Sequence, residues 1–156
     1  MVVAVDGAAV AAIVLDDPIR TDAARTIRDL RRQGMTHITM VTGDRTDVAT
    51  TVGAVIGVDE VLAERTPAEK VEAVRVASLT HRTIMVGDGI NDAPALAIAD
   101  IGVAIGARGS TASSEAADIV LTVDRLGRLS EAITIARRTR RITRQSVYAG
   151  LGLSAT

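Results

Sequence analysis

Short runs rich in Val, Ile and Ala, each followed by a stretch with helical spacing, recur along the chain from Ile38 onward. This alternation restricts the chain to βα units and a parallel sheet with helices on both faces, because parallel strands need long crossovers and bury both their faces. The patterning predicts strands near residues 2–5, 10–15, 37–41, 60–63, 83–86, 101–104 and 118–123. Helices are predicted near residues 22–33, 45–56, 67–78, 92–98 and 110–116, with a long final helix from about Leu126. The first two strands are joined by Asp6-Gly7, a common hairpin dipeptide, and read as antiparallel and distinct from the rest.

With 156 residues, 47% of them hydrophobic, the chain is the size of one domain with ample material for a core. Aromatic residues are only 1%, so that core must be built from Val, Ile, Leu and Ala, and base-stacking surfaces are argued against. A formal charge of −1 gives no overall pull toward nucleic acid, and any basic patch has to be local. With no cysteine there is no disulfide and no thiolate metal site, which suits a reducing compartment. No apolar run reaches the length of a membrane span, and the first six residues lack the basic start of a secretory signal, so a soluble cytoplasmic chain is expected.

The stretch with the most chemical content is Val86-Gly87-Asp88-Gly89-Ile90-Asn91-Asp92-Ala93-Pro94-Ala95-Leu96. It sets two carboxylates and an amide on a glycine-rich turn directly behind an apolar run, an arrangement that holds a hard cation such as Mg²⁺ beside a phosphoryl group. A plain Asp/Gly/Asn turn with Pro94 opening a helix also suits the composition of this loop. Two further segments would converge on it if their loops leave the carboxyl ends of parallel strands. In Val41-Thr42-Gly43-Asp44-Arg45, Thr42 ends a strand and can donate its hydroxyl to a phosphoryl oxygen, while Gly43 keeps bulk away; a threonine merely ending a strand is the alternative. In Pro67-Ala68-Glu69-Lys70, Lys70 stands one turn into a helix, where a lysine is ordinarily solvated. Phosphoryl transfer needs a cation, a bridging metal, and a hydroxyl or amide to orient the oxygens. Lys70, Asp88 with Asp92, and Thr42 with Asn91 supply those parts.

In this order and spacing the segments resemble the phosphorylation domain of P-type cation-transporting ATPases, within the haloacid-dehalogenase-like superfamily. Asp16-Asp17-Pro18-Ile19-Arg20 and Ala99-Asp100-Ile101-Gly102-Val103-Ala104-Ile105-Gly106 followed by Ser113-Ser114-Glu115-Ala116-Ala117-Asp118 extend the likeness, the latter toward the branch that moves soft and transition (heavy) metals. The resemblance implies a Rossmann-like parallel sheet with Asp88 as Mg²⁺ ligand and Asp92 in or just behind the metal's shell. It also implies that Asn91, Thr42 and Lys70 act on the phosphoryl group, and that Asp44, beside Gly43, shapes the loop or meets nucleotide. The implied reaction moves the γ-phosphoryl group of ATP to an aspartate, with hydrolysis of that aspartyl phosphate coupled to cation transport.

The family's nucleophile sits in an Asp-Lys-Thr-Gly motif after the first, central strand, and this sequence has no such motif. The resemblance therefore implies a carboxyl-terminal portion of a transporter, inactive alone. Its partners would be a nucleotide-binding domain, an actuator domain and membrane helices at the cytoplasmic face of a cell membrane. Residues 1–16 read as the closing hairpin of the nucleotide domain, 17–145 as the phosphorylation-domain core, and 146–156 as the start of a membrane helix. The gap left by the nucleophile strand could be filled by residues 2–5, by residues 10–15 or by a second chain.

A free-standing phosphatase using Asp6, which ends the run Val2-Val3-Ala4-Val5, is a second reading, with Asp16 a weaker nucleophile; a non-catalytic piece that binds Mg²⁺ or phosphate is a third. His37 and His81 have no partners at ligand spacing and read as edge residues. Gly102, Gly106 and Gly109 do not form a dinucleotide fingerprint, and Met40 and Met85 read as core. The arginines at 137, 138, 140, 141 and 144 are either a solvated face or a stalk at the positive side of a membrane.

Overall fold

The computed structural model describes residues 2–6, 8–12, 18–88, 91–106 and 115–154. Strand β1 (Val2–Val5) pairs antiparallel with β2 (Ala8–Ala12). Asp6 has a φ of 50°, the left-handed conformation that a two-residue hairpin turn requires. The turn pairs Val5 with Ala8, so β2 starts two residues before the Val10 suggested by the pattern. The expected extension through residues 13–15 lies outside the described residues, as do Asp16 and Asp17.

Helices and strands then alternate: α1 (Ala23–Arg32), β3 (Thr39–Val41), α2 (Thr46–Ile56), β4 (Glu60–Leu62), α3 (Pro67–Thr80), β5 (Ile84–Gly87), α4 (Ala93–Ile98), β6 (Ile101–Ile105), β7 (Ile119–Leu121) and α5 (Gly127–Ser154). Of the helix expected over residues 110–116, only Glu115 and Ala116 are described, and both are helical. The α/β reading holds, with parallel pairing throughout this part of the chain.

The parallel strands form two groups, β3–β4 and β5–β6–β7. The idea that the amino-terminal hairpin fills the missing central position is corrected here. Among the described residues β1 and β2 pair with each other and with no strand of the parallel groups. The tight turn at Asp6 pairs the two strands with each other and so satisfies the backbone groups on their facing edges.

An aspartate locks each parallel pair at its amino-terminal end. Asp59, just before β4, accepts from the Ile38 N–H at 2.8 Å; Asp100, just before β6, accepts from the Thr83 N–H at 2.9 Å; Asp118, just before β7, accepts from the Gly102 N–H at 2.8 Å. Each carboxylate replaces a ladder bond where the strands begin and so helps to fix their register. Arg31 and Arg82 donate to Asp59 and Asp100 at 2.9 and 2.7 Å. The Arg31 bond and the Ile38 N–H hold the Asp59 carboxyl below its ordinary range. The Thr83 N–H, followed by Arg82, does the same for Asp100.

The core gathers Leu30 of α1, Val103 of β6 and Leu129 of α5, with Met35, Ile38, Ile84, Val86, Leu121 and Ile133 packed against them. Gln33 fastens α1 to α5, its Nε2 donating to the carbonyl and hydroxyl oxygens of Ser130 and to Thr134 Oγ1. Gly102 lets α4 lie directly on β6: a Cβ there would stand 2.5 Å from the Leu96 carbonyl oxygen. Met40 and Met85 are half-buried on their strands.

Candidate active site

The expected site residues all follow the carboxyl ends of parallel strands: Thr42, Gly43 and Asp44 after β3, Lys70 on the helix after β4, and Asp88, Asn91 and Asp92 after β5. Gly89 and Ile90, in the middle of the last loop, lie outside the described residues.

Helix α3 has a firmly determined start. Thr66 accepts from the Glu69 N–H at 3.3 Å while the Glu69 carboxylate accepts from the Thr66 N–H at 2.8 Å, a reciprocal capping box, and Pro67 supplies the first helical φ. The Thr66 N–H foremost, and then the Thr66 hydroxyl, which donates to the same carboxylate at 2.7 Å, lower the Glu69 pKa. One turn in, Lys70 Nζ donates to Asp92 Oδ1 at 2.8 Å, with side chains only 18% and 15% exposed. Lys70 was therefore drawn from the class of solvated helix lysines into a shielded ion pair, where a charge interaction is stronger than in water.

Asp92 flanks α4 but makes no side-chain cap bond to it; its carboxylate turns to Lys70 instead. This fold-back depends on Gly87, where a Cβ would lie 2.9 Å from Asp92 Oδ2. Asp88 and Asn91 stand exposed on either side of the undescribed tip.

On the other group of strands, Thr42 Oγ1 donates to Asp44 Oδ2 at 2.8 Å and accepts from the Asp44 N–H at 3.1 Å. The loop is stitched to the next crossover, since the Arg65 N–H donates to the Thr42 carbonyl and the Glu64 N–H to the Asp44 carbonyl, both at 2.9 Å. In this arrangement the Thr42 hydroxyl proton is held by Asp44. A Cβ on Gly43 would make ordinary contact with the Arg65 carbonyl at 3.5 Å, so nothing within the chain demands glycine there, and the position is open to solvent.

Among the described residues no group of three or more His, Cys, Asp or Glu side chains is arranged to hold a metal ion. Mg²⁺ asks for less than that: one or two carboxylates, with water and phosphate oxygens completing its octahedron. The hard oxygen donors of Asp88 and Asp92 fit that chemistry, with Lys70 already bound to Asp92 Oδ1. His37 lies beside Glu60 at 3.3 Å and His81 beside Thr80, both exposed, as edge residues would. Sequence reasoning passed over the Thr66–Glu69 cap, although a threonine followed three residues later by glutamate was a readable signal.

The parallel βα architecture is that of the haloacid dehalogenase-like class. Residues 2–100 match the family described as haloacid dehalogenase-like hydrolase, and the chain belongs to that family. More particularly, it is 47% identical to the cadmium, zinc and cobalt-transporting ATPase of Bacillus subtilis (strain 168), over 98% of this chain and 22% of that protein. It is 44% identical to the zinc-transporting ATPase of Synechocystis sp., over 97% of this chain and 22% of that one. A crystal structure of a zinc-transporting PIB-type ATPase in the E2.Pi state superposes with a TM-score of 0.81 at 37% identity, covering 97% of this chain and 25% of the other. The resemblance to heavy-metal P-type ATPases and the fold of their phosphorylation domain are thus borne out. The chain spans about 22% of the length of the curated relatives it matches.

Proposed function

We propose that this chain serves as the phosphorylation-domain portion of a heavy-metal-translocating P-type ATPase, carrying the Mg²⁺ and phosphate half of an aspartyl-phosphate site. The observation that carries this reading is the shielded Lys70–Asp92 pair beside Asp88 at the carboxyl ends of the strands. Asp92 anchors one side of the Lys70 ammonium, leaving donors on the same nitrogen for a phosphoryl oxygen. Asp88, with Asp92 at or just behind it, would hold Mg²⁺; the ion when bound supplies charge neutralisation for the transferring phosphoryl group. Thr42 reaches a phosphoryl oxygen by exchanging its bond to Asp44, and Asn91 offers an amide from the opposite loop. Gly43 leaves room for the ligand, and Asp44 either holds the Thr42 loop or meets the nucleotide.

In this reading ATP and the nucleophilic aspartate come from elsewhere in the transporter. β3 bonds to β4 and β5 bonds to β6, and one further parallel strand between them would complete the sheet and bring the aspartate to Asp88 and Lys70. Residues 1–16 would close the nucleotide-binding domain, 17–145 form the core, and 146–156 lead toward the membrane from its cytoplasmic face. The actuator domain and membrane helices are the remaining partners. Asp6, in the turn of an antiparallel hairpin, lacks the parallel strand end that a phosphatase nucleophile uses.

The test is Mg²⁺-dependent hydrolysis of acetyl phosphate and p-nitrophenyl phosphate by the folded chain, together with calorimetric titration of phosphate in the presence of Mg²⁺. The expected result is no turnover, with phosphate binding that requires Mg²⁺ and is lost in Asp88→Asn. Turnover abolished by both Asp6→Asn and Asp88→Asn would establish a phosphatase in its own right and overturn the proposal.

A further inference from the structure

Among the described residues, Asp6 and Glu64 are the two that hold a left-handed backbone without being glycine. The hairpin turn accounts for Asp6. Glu64, with a φ of 56°, lies instead in the connection from β4 to α3, where no hairpin calls for that conformation. Glycine adopts it freely and a residue with a Cβ does not, so glutamate stands there against the local backbone preference. Strain of this kind persists where the surroundings impose it, and here they are the loop that carries Thr42.

Glu64 grips that loop twice. Its N–H donates to the Asp44 carbonyl at 2.9 Å, and its Oε1 accepts from the Thr46 N–H and the Thr46 hydroxyl at 3.3 and 3.2 Å. Asp44, held in this way, receives the Thr42 hydroxyl at 2.8 Å. Along the chain in the other direction, the Arg65 N–H bonds the Thr42 carbonyl, and Thr66 opens α3 with its capping box. The Lys70 N–H then donates to the Thr66 carbonyl at 3.0 Å, so the place of Lys70 is fixed by the same short segment. Glu64 thus joins the loop of one candidate phosphate-binding group to the helix of the other. A plainer role is also open to it, since Arg45 at the start of α2 makes no side-chain cap bond and the Glu64 carboxylate supplies one from outside the helix. The two roles differ in what they predict. A cap contributes to stability alone, whereas a residue that sets the spacing of two ligand groups acts on affinity beyond its effect on stability.

We propose that Glu64 is a positioning residue of the phosphoryl site, holding the Thr42 loop at a set distance from Lys70; this rests on the reading of that site given above. The test is calorimetric titration of inorganic phosphate, with Mg²⁺ present, into the 156-residue chain and its Glu64→Gly and Glu64→Gln variants, with thermal unfolding of each followed by circular dichroism. Glycine removes the carboxylate and the backbone strain together, so Glu64→Gly should unfold close to the native midpoint while binding phosphate roughly tenfold more weakly. Glutamine keeps an oxygen that can accept from Thr46, and Glu64→Gln should retain most of the affinity. Without phosphate, the Thr46 and Arg65 amides of Glu64→Gly should exchange hydrogen faster than in the native chain, with the Ile38 and Thr83 amides unchanged. Affinity that falls only in step with stability and is not rescued by glutamine would leave Glu64 a cap of α2 and overturn the proposal, as would unaltered exchange at Thr46 and Arg65. Phosphate that binds the native chain and Glu64→Gly equally, but not Asp88→Asn, would overturn this inference alone. Phosphate that fails to bind the native chain would overturn the reading of the site and this inference with it.

Discussion

The two groups of parallel strands are locked alike and buried differently. Asp59 secures β3 to β4 in the same way that Asp100 secures β5 to β6, by taking the N–H just before the neighbouring strand. Yet β6, with a strand on each side, buries Val103 and Ala104 completely, whereas all of β3 and all of β5 remain half-buried. Register in this fold is therefore a local matter of one carboxylate and one amide, while burial depends on having neighbours on both edges. The candidate site takes Thr42 just after β3 and Asp88 just after β5, two of the strands whose burial is incomplete.

That contrast can be broken most directly in the core. Leu96→Ala, under β6, should cost about 2–5 kcal/mol in chemical denaturation, and Met40→Ala on half-buried β3 roughly half as much. Equal losses would mean that the two groups are packed alike. Gly102→Ala drives a Cβ against the Leu96 carbonyl and should cost about 1–3 kcal/mol, whereas Gly43→Ala should stay within about 0.5 kcal/mol by the same measurement. Lys70→Met strands the Asp92 carboxylate in a site that is partly shielded, for an expected loss of about 1–2 kcal/mol. Adding Asp92→Asn should recover part of it, and strict additivity in the double-mutant cycle would argue against a functioning pair.

The smallest effect concerns the shared lock and depends on pH. The Asp59 and Asp100 carboxyls sit below their ordinary range in the folded chain, so their contribution is present above about pH 4 and disappears as pH falls through the lowered values. The denaturation midpoint of the native chain should accordingly drop on acidification. Asp59→Asn with Asp100→Asn should start lower and lose less over the same range; an unchanged pH profile would remove these two groups as the cause.

Much of this architecture was readable in advance. The alternation of apolar runs and helical spacing anticipated every described strand and helix, because periodicity is imposed by burial on one face or two. Element ends were less legible: β2 begins at Ala8 since the turn at Asp6, rather than the apolar pattern, determines which residues face each other. The candidate site could be read in advance only as a set of residue types, and its internal bonding could not. Thr42 could be read as a phosphate donor, but its engagement with Asp44 is a feature of the folded loop.

The sequence alone determined the α/β class, the capping signal at Thr66, the glycines that permit close approach, and the inventory of carboxylates at the strand ends. These follow from spacing, backbone freedom and bonds reaching no more than about four residues. Only the tertiary structure decided which partner each carboxylate received. Asp92 could have capped α4 but faces Lys70, 22 positions earlier in the chain, because the packing of α3 beside α4 brings the ammonium within 2.8 Å and Gly87 leaves room for the carboxylate to turn. Electrostatic pairing acts through space, and space is arranged only once the helices have packed.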